Sequence, residues 1–541
     1  MSDLSTSSSL SGSPAVAGLV EKFDAKEIYG WVDLAPGQNA RLTLFLNDIQ
    51  VASSPAVAPI QRVGHGTCRE FRFNLKDVWN YARTTDRLTV RCGDTILPIA
   101  GRGFFRVPGK SGDSRPEVLK ERLAQGFVFN QKGLLQLSKA QDPAWKGKVH
   151  ALYERISAVL EKEFGYRIFV VYGTLLGTVR QGDFIGHDHD FDTAYISRHT
   201  DGAAVRAEVQ AVARALLASG LRFVPRRTCL WVYDPREPKV TVDVFHLRFD
   251  ETGQLAFSFG VAGTAKVDRA TVASTKPAKI GDYTVAVPEN AETVLELLYG
   301  PYWRTPNPGF NWAIEKKASD AATVLRDEDV TELYWLNFYT HETLQNPSPF
   351  AQFLASSPRR CPVVVDLGCG DGVDAAAFIG AGSRVVGFDK SSEAIIKAGE
   401  RARAAGVADK HSSVLCDLGD EAALKAALSQ HVVRTGNEKV LFYARFFFHA
   451  VPSPTEQVVL KTIASFARPG DIFAAEFRTL EDEKCKKHFS GKHRRRFIKT
   501  SDFIAALTKQ GFALEIEQSG NGLAPFRDED PRVARIVAKK T

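Results

Sequence analysis

The sequence lacks three features, and each absence excludes a class of protein. None of its 541 residues fall in a run of about 20 uninterrupted apolar residues, so we expect no membrane span. The seven cysteines are scattered without a CxxC pair, which argues against a disulfide framework or zinc site and for reduced thiols. The N-terminal segment has neither the basic nor the apolar region of an export signal, so we expect a cytoplasmic protein.

The sequence also lacks a large excess of positive or negative charge. The net charge of +7 permits anionic substrates or peripheral association with an anionic membrane surface, at the inner face of the membrane, but requires neither. With 44% hydrophobic residues the composition is that of a globular protein, and this length predicts about three to four domains.

The order of patterns along the chain predicts a multidomain protein. Residues 1–14 are rich in Ser and Gly and are expected to form a disordered tail. Short alternating runs separated by turns predict an accessory β-sandwich over 15–108. Helical and strand patterns then predict an α+β domain with linker helices over 109–345. Strand–helix alternation over 346–541 predicts a doubly wound, Rossmann-like α/β domain.

The run VVYGTLLGTVRQGDFIGHDHDFD at 170–192 holds three closely spaced carboxylates. Asp188, Asp190 and Asp192 occupy alternate positions, which on a strand point to the same face. Like charges at that distance raise one another's pKa unless a cation compensates them. Oxygen-only clusters suit Mg²⁺ or Mn²⁺, and we therefore expect the chemistry of the chain here.

A fourth carboxylate follows on a later strand, VDVFHL. Asp243 is flanked there by apolar residues, where an acid is costly unless it is paired or bound to metal. Two carboxylates on one strand, a third on a neighbour and the Gly173-Thr174 turn form the layout of a nucleotidyltransferase-fold site. The turn would let backbone N–H groups approach a phosphate. The alternative is a solvated acidic loop.

Three segments resemble the LicD/fukutin-related family: YGTLLGTVRQGDFIGHDHDFD, VDVFHL and VPENAETVLELLYGPYWRTPNPGFNW. They cover most of residues 165–312 in the family's order. The resemblance implies a metal-dependent transferase of nucleotidyltransferase fold. Such an enzyme takes a phospho-alcohol (phosphocholine, ribitol phosphate or glycerol phosphate) from a CDP-activated donor and attaches it to a glycan.

The resemblance also implies residue roles. Asp190 and Asp192 would bind the metal, and Asp243 would either bind it or deprotonate the acceptor hydroxyl. Arg180 would contact phosphate or pyrophosphate, beside Gly173 and Thr174.

The sequence departs from the family pattern before the aspartates. Gly186-His187 stands where the family has Trp or Pro-Trp, and His189, alternating with the acids, should point to the opposite face. Asp188 is left without an assigned role.

The C-terminal segment begins its core at PVVVDLGCGDG. A buried strand ends at Asp366, and Gly368 and Gly370 follow in a loop before a helix. The next two strands end near Asp389 and Asp417, and ligands of a doubly wound sheet bind at such strand ends.

Residues 347–541 resemble class I S-adenosylmethionine-dependent methyltransferases. The resemblance implies that Gly368 and Gly370 lie against the methionine part of the cofactor, that Asp389 binds the ribose and that Asp417 lies near the adenine. An NAD-binding domain is the rival, but it would need GxGxxG, and Val373 stands at the last glycine position.

Candidates for the methyl acceptor site follow the fourth strand. Arg445 and His449 lie four residues apart and would share a face of a helical turn, with His449 either a general base or a structural histidine. The basic segment 484–497 would receive an anionic acceptor or simply form a solvated face. No motif indicates nucleic-acid binding.

Together these patterns predict a bifunctional enzyme of bacterial surface-polysaccharide biosynthesis (capsule or lipopolysaccharide). One domain would transfer a phospho-alcohol to a glycan or lipid-linked glycan with Mg²⁺ or Mn²⁺, and the other would methylate the product with S-adenosylmethionine. One alternative is a nucleotidyltransferase that transfers NMP to a protein or small molecule, with an independent methyltransferase. Another is a scaffold with degenerate catalytic folds. The oligomeric state stays open.

Overall fold

The computed structural model describes residues 17–541 apart from 36–37, 67, 189, 256, 259–265, 273, 308, 311, 313–321, 342–344, 486–494 and 528. The tail expected to be disordered, 1–14, lies outside the described residues. Contacts divide the chain into an N-terminal unit, Met1–Val324, and a C-terminal unit, Leu325–Thr541. The sequence predicted this boundary after residue 345. In the structure, helix Asp327–His341 belongs instead to the C-terminal unit.

The N-terminal unit begins with two four-stranded antiparallel sheets. Their strands are β1 (Gly18–Phe23), β2 (Glu27–Asp33), β3 (Ala40–Leu46), β4 (Ile49–Ala56), β5 (Pro59–Ile60), β6 (Cys68–Asn74), β7 (Leu88–Cys92) and β8 (Thr95–Ile96). The orders are β1-β2-β6-β5 and β4-β3-β7-β8. Alternate residues of both sheets, such as Val20 and Phe71 from one and Leu44 and Val90 from the other, share a single core. We call this part the sandwich.

Helices and short strands follow in the same unit. The helices are α1 (Pro116–Ala124), α2 (Pro143–Phe164), α3 (Tyr172–Gln181), α4 (Gly202–Ala218), α5 (Arg269–Val272) and α6 (Ala291–Tyr299). The strands are β9 (Phe127–Phe129), β10 (Leu135–Leu137), β11 (Phe169–Val170), β12 (Asp192–Ile196), β13 (Arg222–Pro225), β14 (Cys229–Tyr233), β15 (Val242–Leu247), β16 (Gln254–Leu255), β17 (Val267–Asp268), β18 (Thr275–Ile280) and β19 (Tyr283–Pro288).

A mixed five-stranded sheet, ordered β11-β12-β15-β14-β13, is the centre of this region. Only β12 and β15 run parallel, and α4 lies between them in sequence as the crossover. Helix α2 is delimited by clear signals: the Asp142 carboxylate accepts the N–H of Trp145 at 3.0 Å, and Gly165 at φ 66° ends it. These elements carry the acidic residues to one edge of the sheet.

The C-terminal unit contains one seven-stranded sheet. Its strands are β20 (Val363–Leu367), β21 (Arg384–Asp389), β22 (His411–Leu415), β23 (Val440–Arg445), β24 (Ile472–Arg478), β25 (Phe512–Gly520) and β26 (Val533–Lys540). Its helices are α7 (Asp327–His341), α8 (Pro349–Ala355), α9 (Ala375–Gly380), α10 (Ser392–Ala404), α11 (Glu421–His431), α12 (Ser453–Phe466) and α13 (Thr500–Lys509). The strand order is β22-β21-β20-β23-β24-β26-β25, and only β26 is antiparallel to its neighbours.

Both faces of this sheet are buried, which explains the uninterrupted apolar runs of its strands. Val363 and Val365 of β20 pack with α11, α12 and α13 on one face, whereas Val364 packs with α8 and α9 on the other. The arrangement is the doubly wound one expected from the strand–helix alternation. Among the residues described, no helix has the length and apolar character needed to span a membrane.

Candidate active sites

Three carboxylates of the N-terminal unit come together at the start of β12 and β15. Asp192 and Asp243 are paired in register on these parallel strands, and Asp190 lies two residues before the strand. One oxygen from each side chain lies within 4.8 Å of the others. Such an oxygen-only set has the ligand chemistry that Mg²⁺ and Mn²⁺ prefer.

The aspartate run is only partly a strand, contrary to the alternation expected from the sequence. Strand β12 starts at Asp192, and Asp188 and Asp190 precede it in a turn whose Asp188 N–H donates to the Ile185 carbonyl at 3.1 Å. Sequence alternation could not distinguish this turn from an extended run. Asp188 is buried beside Gly173, where an added Cβ would lie 2.3 Å from its carboxylate oxygen. His189 lies outside the described residues.

Gly173 and Thr174 lie in the first turn of α3 and not in the open turn expected. The helix begins directly after β11, with Tyr172 at φ 49° at the junction. The Thr174 hydroxyl accepts the backbone N–H of Asp192 at 2.8 Å, and the Val171 N–H donates to the Asp192 carbonyl at 3.1 Å. These bonds fix the start of β12, and they position Asp192 against the helix N-terminus.

The acids are held in conditions that favour a bound cation. Burial, and then the negative charge of Asp190, raise the pKa of both Asp192 and Asp243 well above the usual value. A divalent cation would offset this repulsion, so the residues present fit the metal that the sequence implied.

Arg180 and Gly173 line a cavity of about 300 Å³, together with His187. Burial lowers the pKa of Arg180, and its Nε atom is buried without a hydrogen-bond partner among the described residues. Burial and the charge of Arg180 lower the pKa of His187 to about 4. A cationic guanidinium beside a neutral imidazole leaves this cavity with a net positive site for an anionic group.

The C-terminal unit has its own cavity, of about 430 Å³, at the carboxyl ends of β20, β21 and β23. It is lined by six of the residues singled out in the sequence: Asp366, Gly368, Gly370, Asp389, Asp417 and Arg445. The structure therefore brings all five expected cofactor residues and one expected acceptor residue to one place.

The loop after β20 needs its glycines. Gly370 has φ 55°, and a Cβ there would lie 2.5 Å from the Tyr339 hydroxyl oxygen of α7. The Asp389 carboxylate accepts the N–H of Gly370 at 3.0 Å and that of Ser391 at 2.9 Å, and burial raises its pKa. The loop is thus packed so closely against α7 that a side chain at Gly370 would collide with Tyr339.

His449 is buried in a 3-10 helix, Phe448–Ala450, and is not among the residues lining this cavity. Its Nδ1 accepts the backbone N–H of Arg478 at 3.4 Å. Arg445 does line the cavity, but it is paired with Glu476 at 2.9 Å. Most of the basic segment 484–497 lies outside the described residues.

Comparison with known families identifies a domain within the N-terminal unit. Residues 165–290 match the family model described as LicD/FKTN/FKRP, nucleotidyltransferase domain. The matched range contains α3, β12 and β15, and with them every residue of the acid cluster. The chain carries a LicD domain. The resemblance noted from the sequence is confirmed for this part of the chain.

Solved structures similar to the chain align over about two fifths of it. One is an S-adenosylmethionine-dependent methyltransferase from Anabaena variabilis (16% identity, 40% of this chain, 96% of that one, TM-score 0.32). Another is geranyl diphosphate C-methyltransferase from Streptomyces coelicolor (15%, 36%, 78%, 0.27). At these scores neither likeness establishes a fold or an activity. A comparison with curated proteins finds no match.

Three residues near the LicD acids were missed in the sequence: Trp231, Arg226 and Lys132. Trp231 on β14 lies opposite Asp243 on β15, and the guanidinium carbon of Arg226 lies 3.8 Å from its ring centroid. The charges of Arg226 and Lys132 favour the ionised form of Asp243. The alternation in TCLWVYD, which places Trp231 on one face of a strand, was the available signal.

The C-terminal cavity also has contributors that the sequence did not reveal. Trp335 and Tyr339 of α7 line it with their rings stacked at 5.7 Å. Phe446, the residue after β23, lines it in a left-handed conformation at φ 55°. The aromatic run YWLNFY was visible in the sequence, but it lay on the wrong side of the expected domain boundary.

Proposed function

We propose that the protein is a bifunctional transferase with one active site in each unit. The LicD domain transfers a phospho-alcohol from a CDP-activated donor to a glycan, and the C-terminal unit methylates a group of that product with S-adenosylmethionine. The observation that carries the first activity is the set of three carboxylates, two of them buried, whose oxygens lie within 4.8 Å of one another inside a LicD domain.

In the transferase site, Asp190, Asp192 and Asp243 hold a divalent cation. When bound, the cation neutralises negative charge on the phosphoryl group that is transferred. Arg180 binds a phosphate oxygen in the adjoining cavity, where its guanidinium is partly desolvated and therefore binds an anion strongly. The N-terminal turn of α3, with Gly173 and Thr174, adds backbone N–H groups.

For the C-terminal unit, S-adenosylmethionine fits better than NAD. Val373 is buried at the position where a dinucleotide loop has its third glycine, and β26 is an antiparallel strand in a type of sheet that is mostly parallel in dinucleotide-binding domains. Gly368 and Gly370 hold the methionine part, Asp389 accepts hydrogen bonds from the ribose and Asp417 lies near the adenine. S-adenosylmethionine supplies the methyl group when bound, Asp366 lines the cavity on the cofactor side, and Arg445 borders the space for the methyl acceptor.

We place the two activities in the cytoplasmic assembly of a bacterial surface polysaccharide, on a glycan or lipid-linked acceptor. The methyl group would cap or decorate the phosphoryl-linked glycan. The presence of both sites on one chain supports a shared acceptor, because linkage raises the local concentration of a common substrate.

Mass spectrometry of the reaction products tests the proposal. The full chain is incubated with Mg²⁺, S-adenosylmethionine, an acceptor glycan and each of CDP-choline, CDP-ribitol and CDP-glycerol. We expect the mass of a phospho-alcohol on the acceptor, followed by that of a methyl group. Addition of a nucleotide monophosphate would establish the alternative nucleotidyltransferase, and no change in mass would indicate a scaffold.

A further inference from the structure

Two adjoining cavities, each of about 300 Å³, extend from helix α3, beside the LicD acids, onto the sandwich. The inner cavity is lined by Arg180 and Gly173 of α3 and also by Glu70 and Arg72 of β6. The outer cavity is lined by Asn39, Arg41 and Arg69. Val57, Tyr302 and Thr305 line both, so the two cavities meet there.

The inner cavity ends at residues that adjoin the acids, although none of its described lining residues is an aspartate. Gly173 lines it, and a Cβ on that glycine would lie 2.3 Å from the Asp188 carboxylate. Tyr299 also lines it, and burial and then the charges of Asp192 and Asp188 raise its pKa well above the usual value. Gly173 and Tyr299, which line the inner end of this cavity, therefore lie between it and the carboxylates.

The side of the sandwich that lines the two cavities packs closely against the segment that follows α6. Gly309 lies so near β6 that an added Cβ would be 2.2 Å from the Arg72 carbonyl oxygen. Arg69 donates a hydrogen bond to the Tyr302 hydroxyl at 3.2 Å, and its guanidinium carbon lies 5.5 Å from the ring centroid. These contacts make the sandwich residues a fixed part of the cavity lining.

The lining groups suit sugars. Tyr302 is 43% exposed where the cavities meet, and the Tyr299 ring packs against Phe310 at 5.1 Å and Trp312 at 5.3 Å. Aromatic rings pack against the C–H faces of sugars. Asn39, Arg41 and Arg69 provide the amide and guanidinium groups that hydrogen-bond to hydroxyls.

A donor of fixed size does not need two cavities in a row. In the proposed transfer, Arg180, at the inner end of the inner cavity, binds the phosphoryl group that is transferred, and the rest of the donor lies outside both cavities. There Arg226 and Lys132, which line neither cavity, act on Asp243 with their charges. They offer the donor a cationic flank beside Trp231, which is 36% exposed. A repeating chain, in contrast, would extend through both cavities.

We propose that the sandwich is part of the acceptor site and binds an oligosaccharide that crosses Tyr302, with its terminal hydroxyl at the acid cluster. This inference rests on the proposed transferase function. The hydroxyl oxygen forms a bond to the phosphorus of the phospho-alcohol, the P–O bond to CMP breaks, CMP leaves with the electron pair, and the hydroxyl proton passes to solvent.

Binding of the full chain to an array of bacterial oligosaccharides, one to six sugars long, tests the proposal. We expect binding to a subset of the longer chains, weakened about tenfold by Tyr302→Ala because a stacking contact is lost. Tyr302→Phe, which keeps the ring, should bind nearly as the original does. Val63→Ala, at an exposed sandwich residue outside both cavities, is the matched control.

A second variant separates the two cavities. Arg41→Ala should weaken binding of the longest oligosaccharides and leave the shortest bound ones unchanged, since Arg41 lines only the outer cavity. Unchanged binding in both Tyr302→Ala and Arg41→Ala, or no binding of the original chain to any oligosaccharide, would overturn the proposal.

The donor provides an independent readout. CMP release from the CDP-alcohols in water, without acceptor, should have the same KM in Tyr302→Ala and Arg41→Ala as in the original chain. A raised donor KM in either variant would place the donor across Tyr302, in the space assigned to the oligosaccharide, and overturn the assignment. If no CDP-alcohol is cleaved at all, the proposed transferase function fails, while the array still decides what the cavities bind.

Discussion

Individual side chains carry most of the account, and the two buried acids of the LicD domain are the clearest case. Asp192 and Asp243 occupy paired positions on parallel strands, where burial raises the pKa of both. Folded proteins do not keep such a pair without compensation unless the site uses it. Two ionised carboxylates so close together and buried would destabilise the fold, and a bound cation would remove that repulsion.

Asp389 gives a prediction for the cofactor site. Asp389→Ala should weaken the binding of S-adenosylmethionine about 10- to 100-fold, because charged hydrogen bonds of the carboxylate to the ribose would be lost. Titration calorimetry on the full chain measures this. Asp409→Ala, an exposed acid outside the cavity, is the control. An unaltered affinity in Asp389→Ala would refute the role of this residue.

His246 predicts an acid sensitivity of the LicD domain. The side chain is buried on β15, and burial lowers its pKa to about 4, whereas an unfolded histidine titrates near 6.5. As the pH falls from about 6.5 to about 4, the unfolded chain therefore gains a proton that the folded chain does not. The free energy of unfolding should decrease over this window, by on the order of 3 kcal/mol for this residue.

The measurement compares denaturant midpoints of the original chain and of His246→Gln at about pH 7.5 and about pH 4.5. The original chain should lose more stability than the variant on acidification. Equal losses in the two proteins would show that His246 does not titrate as its burial requires.

Among the elements, α7 and the loop after β20 define the methyl-donor cavity. Gly370→Ala should weaken binding of S-adenosylmethionine and destabilise the unit by about 1–3 kcal/mol, because it combines a positive φ with a Cβ 2.5 Å from the Tyr339 hydroxyl. Thermal unfolding and cofactor titration report both effects. Gly406→Ala is a matched control: that glycine has φ 68°, and a Cβ there would meet nothing within 4 Å.

A second substitution distinguishes the clash from the backbone strain. The double variant Gly370→Ala with Tyr339→Phe removes the hydroxyl that the new methyl group would meet. We expect it to recover affinity relative to Gly370→Ala alone. If the double variant is no better, α7 does not cover the loop as closely as the structure has it.

Sequence periodicity was enough to predict most of the strands. The runs around Asp366 and Asp389 are apolar segments that end at or near an acid, and Asp243 is flanked by apolar residues on both sides. Such uninterrupted apolar runs follow from burial on both faces. The start of β12 at Asp192 was not predictable in this way, since it depends on the Thr174 hydroxyl, which is distant in sequence. His449 likewise owes its buried position to contacts with β24.

The assignment of α7 shows the limit of composition as a guide. Its aromatic run follows the LicD segment without a clear linker, so the sequence placed it in the wrong unit. Tertiary contacts, which place Tyr339 beside Gly370, decide its place. Tertiary contacts are likewise what bring sandwich residues into the two cavities, and no catalytic motif in the sandwich sequence indicated this.

At the scale of the whole molecule, the protein consists of two compact units with one candidate site each. The acids of the LicD domain and the glycine loop of the C-terminal unit share no residue. Substitutions in one site should therefore leave the chemistry of the other intact. Asp389→Ala should accordingly release CMP from a CDP-alcohol at the rate of the original chain.

The most direct test measures CMP release from CDP-choline, CDP-ribitol and CDP-glycerol with Mg²⁺ and acceptor glycan. The original chain should release CMP from at least one donor. Asp190→Asn combined with Asp192→Asn should lower that rate about 1,000-fold, because several kcal/mol of charge stabilisation are lost, with the fold retained. An unchanged rate in the double variant, or no release from any donor, would contradict the account.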